Sequence, residues 1–115
     1  MTSLNRVILT GKVMTPPRRH YRPDGSPVIQ FPLELNNSEE SKGQGGRNQI
    51  NIVAFGKLAE FKLDLLQSGQ RLMVIGKLNQ RRWQTPEGKN RTQTEVIATD
   101  LRTIEEKNQI QKLKE

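Results

Sequence analysis

Apolar and polar side chains alternate with a period of two along most of the chain, the pattern of strands with one buried face. Between Asn5 and Val13, Val7, Leu9 and Val13 face one way and Arg6, Thr10 and Lys12 the other, with Ile8 interrupting the polar face. From Val28 to Asn36, Ile29, Phe31, Leu33 and Leu35 oppose Gln30, Pro32 and Glu34. Pro32 has no N–H to give a ladder, which predicts an edge or a bulge there. A third strand is predicted over Gln49–Phe55. A fourth starts at Arg71 and carries Leu72, Val74, Gly76 and Leu78 on one face; a fifth, Arg91–Leu101, is rich in β-branched residues. The period changes at Leu58, Phe61, Leu65 and Leu66, whose spacing predicts a short helix ended by Ser68-Gly69. Phe31 and Phe61 both fall in the apolar phase and are expected in the core. Ile104, Ile110 and Leu113 predict either a charged C-terminal helix or an unstructured tail.

The connections carry their own signals. Arg18 to Pro27 reads as a basic loop turning at Asp24-Gly25, and Asn36 to Asn48 as a long polar loop with nothing to bury. Pro86-Glu87-Gly88 reads as a hairpin turn, proline setting the first bend and glycine supplying positive φ. The order is strand, loop, strand, long loop, strand, helix, strand, hairpin, strand. That is the order of an all-β, five-stranded OB-fold Greek-key barrel with one short helix between strands 3 and 4. An SH3-like barrel leaves the helix unexplained. The barrel domain is expected over residues 1–102, with 103–115 as a charged tail or short helix.

Charge narrows the partner. Lysine and arginine number 19 against 12 acids among 115 residues, a formal charge of +7. Such an excess attracts polyanions, nucleic acid before an acidic membrane surface, or simply keeps the protein dissolved. Cysteine is absent from the sequence, which removes disulfides and thiolate chemistry. The N-terminus lacks a signal-peptide pattern, and no stretch has 18 consecutive apolar residues. A soluble, cytoplasmic and nucleoid-associated protein is expected, with no membrane partner. Nucleophile elbow, phosphate loop and H-E-x-x-H are all missing, so no enzyme activity is expected. His20 has no second ligand in local register, so neither a metal nor a cofactor is expected.

The chemistry concentrates beyond Gly76. Lys77, Asn79, Arg81 and Trp83 alternate onto one face of the fourth strand. Cations can follow phosphates while a flat ring takes a base, and a duplex hides its base faces, so the pattern favours an unpaired strand. The competing reading has Trp83 capping the barrel. Phe55, just before Gly56-Lys57, suits either the mouth of a groove or the core. Tyr21, in Arg18-Arg19-His20-Tyr21-Arg22, is a third ring. Phosphates are assigned to Lys77, Arg81, Arg82, Lys89 and Arg91, and Trp83 and Phe55 are assigned to bases. Tyr21, Arg18, Arg19, Arg22, Arg47 and Lys57 complete the candidate nucleic-acid-binding set.

Three stretches resemble bacterial single-stranded DNA-binding proteins: Asn5 to Val13, Ile52 to Glu60 with its Phe-Gly-Lys-Leu-Ala-Glu run, and Gly76 through Arg81-Arg82-Trp83 to Thr94-Glu95-Val96. Tyr21 with Asp24-Gly25 is similar to that family's first loop. The resemblance spans roughly residues 4 to 102. It implies the OB fold, self-association (a homotetramer, with a homodimer as the alternative), and roles in DNA replication, recombination and repair. It also implies base stacking on Trp83 and Phe55, with phosphate contacts from the basic residues around them. The chain departs from the family by lacking aromatics at Asn48-Gln49 and between Ser38 and Gly46. It also ends Gln111 to Glu115 without the family's acidic tip. These departures resemble the related primosomal replication protein N, an adaptor that binds single-stranded DNA and a helicase at replication restart. A strand-coating protein, such a restart adaptor and an RNA-binding OB module are the three readings; replication or restart proteins would be partners of the first two.

Overall fold

In the computed structural model, residues 3–35 and 48–104 are described. Residues 36–47, among them Arg47 and most of the expected long loop, and residues 105–115, expected as tail or helix, lie outside the described residues. The elements are β1 (Val7–Val13), β2 (Arg18–Tyr21), β3 (Pro27–Leu35), β4 (Gln49–Phe55), α1 (Gly56–Lys62), a 3-10 turn (Leu63–Leu65), β5 (Arg71–Gln84) and β6 (Asn90–Thr103).

The strands form one sheet in the order β1-β5-β6-β4-β3-β2, and an added β1–β3 pairing closes it. β1, β5, β6, β4 and β3 therefore make the expected five-stranded OB barrel, with α1 between β4 and β5. All its pairings are antiparallel except β4–β6. β2 is an addition. The segment expected to be loop from Arg18 is a fully exposed four-residue strand, paired from Arg18–Gln30 to Tyr21–Pro27. Four exposed polar or amphipathic side chains give no alternation to read; backbone pairing to β3 makes the strand.

Pro32 occupies the gap that its chemistry requires. β2 covers β3 up to Gln30, and β1 covers it from Leu33. Between them the Pro32 carbonyl accepts from Met14 N–H at 3.3 Å. N–H and C=O of one strand residue point to the same side, so the missing donor faces the break between two partners.

The core is the inner face of this barrel. Ile29, Phe31, Leu33, Ile52, Leu72, Val74, Val96 and Leu101 are fully buried, in phase with the sequence alternation. Ala59 and Leu66 plug one end, with Leu58 and Leu63 packed half-buried beside them. Phe61 corrects the sequence expectation: it is 71% exposed. At about 100° per residue, Phe61 stands some 200° from Ala59 and from Leu63, on the far side of α1.

β5 and β6 continue past the barrel as a two-stranded arm. Its tip is the expected turn: Thr85 N–H donates to Lys89 O at 2.8 Å, Gly88 N–H to Thr85 O at 2.8 Å, and Gly88 has φ 86°. Where the arm leaves the barrel, the register shifts between Ile75 and Gly76, leaving Thr99 as the extra residue of a β-bulge in β6. Leu78, though in phase with Leu72 and Val74, lies beyond that point and is 47% exposed.

Candidate nucleic-acid interface

Cross-strand partners place their side chains on the same face of a sheet, so the registers assemble the outer face row by row. Phe55 lies beside Val28, which lies beside His20. The next row runs Arg18, Gln30, Val53, Ile97, Lys77 across five strands. Pro32, Asn51, Glu95 and Asn79 form a third row. Along the arm, Arg81 sits beside Gln93 and Trp83 beside Arg91. Trp83 and Phe55 thus share one face, and cations and amides lie between them.

This face is concave. A groove of about 650 Å³ is lined by Pro16, Arg18, Gln30, Asn51, Arg81 and Gln93 among others. A smaller hollow of about 200 Å³ adjoins it, lined by Phe55, His20, Gln30, Arg81 and Glu95 among others. Arg81 and Gln30 border both.

Arg81 is held on three sides. Its Nη2 donates to Gln93 Oε1 at 2.9 Å, its Nε lies 3.6 Å from Glu95 Oε1, and its Cζ is 4.9 Å from the Trp83 ring centroid. An arginine over an exposed ring contributes about 0.5–1 kcal/mol. Glu95 is 5% exposed and accepts from Asn79 Nδ2 at 3.1 Å on its other oxygen. A buried carboxylate is costly unless paired, which is what Asn79 and Arg81 provide. Trp83 itself remains 42% exposed, so it does not cap the barrel.

At the other end, the Arg22 guanidinium lies 4.0 Å from the centroid of Phe55. Arg22 is carried by the predicted Asp24-Gly25 turn: its N–H donates to Ser26 O at 2.9 Å, and its carbonyl accepts from Gly25 N–H at 2.8 Å. Asp24 Oδ1 accepts from Ser26 Oγ at 2.7 Å and Ser26 N–H at 2.9 Å. These bonds, the side-chain one foremost, hold the Asp24 carboxyl below its ordinary value. Phe55 is half-buried, on the outer phase of β4 with Asn51 and Val53, and is not a core residue.

The candidate set divides by face. Trp83, Arg91, Arg81, Lys77, Arg18 and Phe55 share the groove face, and Arg22 joins them through Phe55. Arg82 pairs with Thr92 on the opposite face of the arm. Arg19 and Tyr21 pair with Ile29 and Pro27, the phase opposite to His20, and the Arg19 guanidinium lies 5.8 Å from the Tyr21 ring centroid. Lys89 is in the arm's turn, and Lys57 is exposed at the start of α1. Arg47 is outside the described residues. Sequence reasoning missed Glu95, Gln93, Asn51 and Gln30 as groove residues, and weighed His20 only as a metal ligand. The signal for two of them was present: a hairpin centred on Glu87 pairs residues equidistant from it, which sets Gln93 beside Arg81 and Glu95 beside Asn79.

Comparison with known proteins agrees with this fold. The single-strand binding protein family matches residues 4–104. A single-stranded DNA-binding protein of Thermotoga maritima is 32% identical over 110 residues, covering 93% of this chain and 78% of that protein. One from Caldanaerobacter subterraneus subsp. tengcongensis is 36% identical over 106 residues, covering 91% and 71% respectively. Among solved structures, the Plasmodium falciparum SSB in complex with single-stranded DNA superposes with a TM-score of 0.78 at 25% identity. That match covers 91% of this chain and 98% of the other. With a match running through every strand of the barrel, the chain belongs to the single-strand binding protein family.

Proposed function

We propose that this protein binds single-stranded DNA along the outer face of the barrel, tolerant of sequence, in the service of replication, recombination and repair. One observation carries the reading: Trp83, 42% exposed, shares a groove face with Arg91, Arg81, Lys77 and Arg18. Guanidinium and ammonium groups neutralise phosphates whatever the sequence, and the Trp83 ring offers a base a surface worth about 1–3 kcal/mol. Phe55 is the second platform, backed by Arg22. With only 4% aromatic residues, affinity rests more on phosphate than on stacking. The function is binding alone, with no reaction step. Among the described residues no helix is long and apolar enough to cross a membrane.

Self-association belongs to the same reading. Ile8 is 57% exposed on the outer face of β1, opposite half-buried Ile75, an apolar surface that a second copy would cover. A homotetramer is the expected state, checked by solution mass; a homodimer would bring the protein closer to the restart adaptor.

The test is a titration with oligo-dT, its RNA counterpart and duplex DNA. Trp83 is the only tryptophan, so its fluorescence should be quenched by oligo-dT and affinity should fall steeply with salt. Unchanged fluorescence at saturation removes Trp83 from the site. Duplex bound as tightly as single strand overturns the reading, and a preference for RNA redirects it.

A further inference from the structure

We propose that Glu95 is a built-in competitor of the DNA backbone, occupying Arg81 in the free protein and thereby lowering the affinity of the groove for single-stranded DNA. The inference rests on the reading of this face as the DNA groove and concerns how tightly that groove holds. The carboxylate is unusual for its place. Its side chain is 6% exposed, yet it sits at the floor of a face that must receive phosphates, 3.6 Å from the Nε of an arginine that is 51% exposed. Asn79 Nδ2 donates to its other oxygen at 3.1 Å, which tethers the carboxylate beside Arg81.

Positioning Arg81 does not explain the acid. The Gln93 amide at 2.9 Å and the Trp83 ring at 4.9 Å already hold the guanidinium in place. What Glu95 adds is charge. A phosphate arriving at Arg81 meets either a guanidinium already partly neutralised, or one that must leave a buried carboxylate with Asn79 alone. The second course strips a charge partner from a buried anion, which is strongly unfavourable. Each course reduces the net gain from one phosphate contact. The consequence is a groove whose grip is limited by its own floor, which favours release of the strand.

The experiment measures oligo-dT binding across a salt series for wild type, Glu95→Gln, Arg81→Gln and the double variant. Glutamine keeps the shape and an oxygen for Asn79 while removing the charge. E95Q should bind several-fold tighter at fixed salt. Its plot of log affinity against log salt should steepen by up to about 0.7, the increment of one further phosphate on a single strand. The gain should vanish in the R81Q background, because the effect is routed through Arg81. Unchanged or weaker binding by E95Q, or a gain that persists in R81Q, overturns the proposal. Thermal melting establishes that E95Q is folded. If it is not, Glu95→Asp serves instead: it retains the charge, draws it back by one methylene, and should give a smaller shift in the same direction. Wild type failing to bind oligo-dT defeats the groove itself, whereas wild type binding with an indifferent E95Q defeats only the role of Glu95.

Discussion

The Asn5 side chain makes to Leu78 both hydrogen bonds that a neighbouring strand would make: Nδ2 donates to the Leu78 carbonyl at 2.8 Å, and Oδ1 accepts from its N–H at 2.9 Å. The β1–β5 ladder ends at Val7–Gly76, so Asn5 supplies one more rung where the arm leaves the barrel. Replacing Asn5 with Ala should cost about 1 kcal/mol, since both groups are exposed and water takes over part of the bonding. Urea denaturation should show the loss, and the Leu78 amide should exchange faster in hydrogen exchange. An unchanged Leu78 rate would mean that the clamp does not hold in solution.

The two faces of the arm should behave differently toward DNA. Arg91 and Arg81 flank Trp83 on one face, whereas Arg82 is on the other. Arg91→Ala and Arg18→Ala should each weaken oligo-dT binding and flatten the salt dependence by about 0.7 per lost phosphate contact. Arg82→Ala and Arg19→Ala should do much less. Trp83→Ala should cost about 1–3 kcal/mol of binding without changing the salt slope. Equal losses from Arg82 and Arg91 would show that the strand wraps both faces.

Acid should loosen the turn that carries Arg22. Ser26 holds the Asp24 carboxyl below its ordinary 3.8, with the Ser26 hydroxyl as the largest cause. A carboxyl depressed on folding stabilises fully above its unfolded value and loses that contribution as pH falls through the folded one. The turn should therefore be intact at neutral pH and open only below 3.8, seen as faster exchange of the Ser26 amide. Asp24→Asn keeps an oxygen for the Ser26 N–H and cannot titrate, so it should abolish the pH dependence.

The barrel was legible because a two-residue period survives wherever one face is buried, as from Ile29 to Leu35 and from Leu72 to Val74. It failed where burial gives no instruction. β2 is exposed on all four residues and exists through its ladder to β3. Phe61 shows the opposite failure: apolar character near helical spacing points to the core, but small Ala59 occupies that contact. Phe61→Ser should consequently shift stability by no more than about 0.5 kcal/mol in a thermal melt, where a core phenylalanine truncated to alanine costs about 3–5 kcal/mol. The groove was half legible. Alternation placed Lys77, Arg81 and Trp83 together, but Glu95 needed the hairpin register as well, and Gln30 and Asn51 needed the barrel closed around them.

Gly76 shows what that closure demands. It is buried at the bulge, and a Cβ there would run into the Ile97 carbonyl and crowd Ala98 Cα at 3.0 Å. Its φ is not positive, so the requirement is for room rather than backbone freedom. Neither neighbour is a flexible side-chain tip; both belong to β6 backbone, which the Thr99 hydroxyl already ties to the Ile75 carbonyl at 3.1 Å. Gly76→Ala must therefore part β5 from β6 at the root of the arm. It should cost about 1–3 kcal/mol, the range of an overpacked core. Gly25, at φ 89° with open space around it, makes the control, because alanine there meets only the left-handed backbone penalty of about 1–2 kcal/mol. The two also differ in consequence. Gly76→Ala should disturb the registers that seat Arg81 beside Gln93 and Asn79 beside Glu95, and so weaken oligo-dT binding even at temperatures where the protein stays folded. Gly25→Ala should leave the salt contribution of Arg81 and Arg91 unchanged. Full binding by folded Gly76→Ala would show that the arm holds its geometry independently of the barrel.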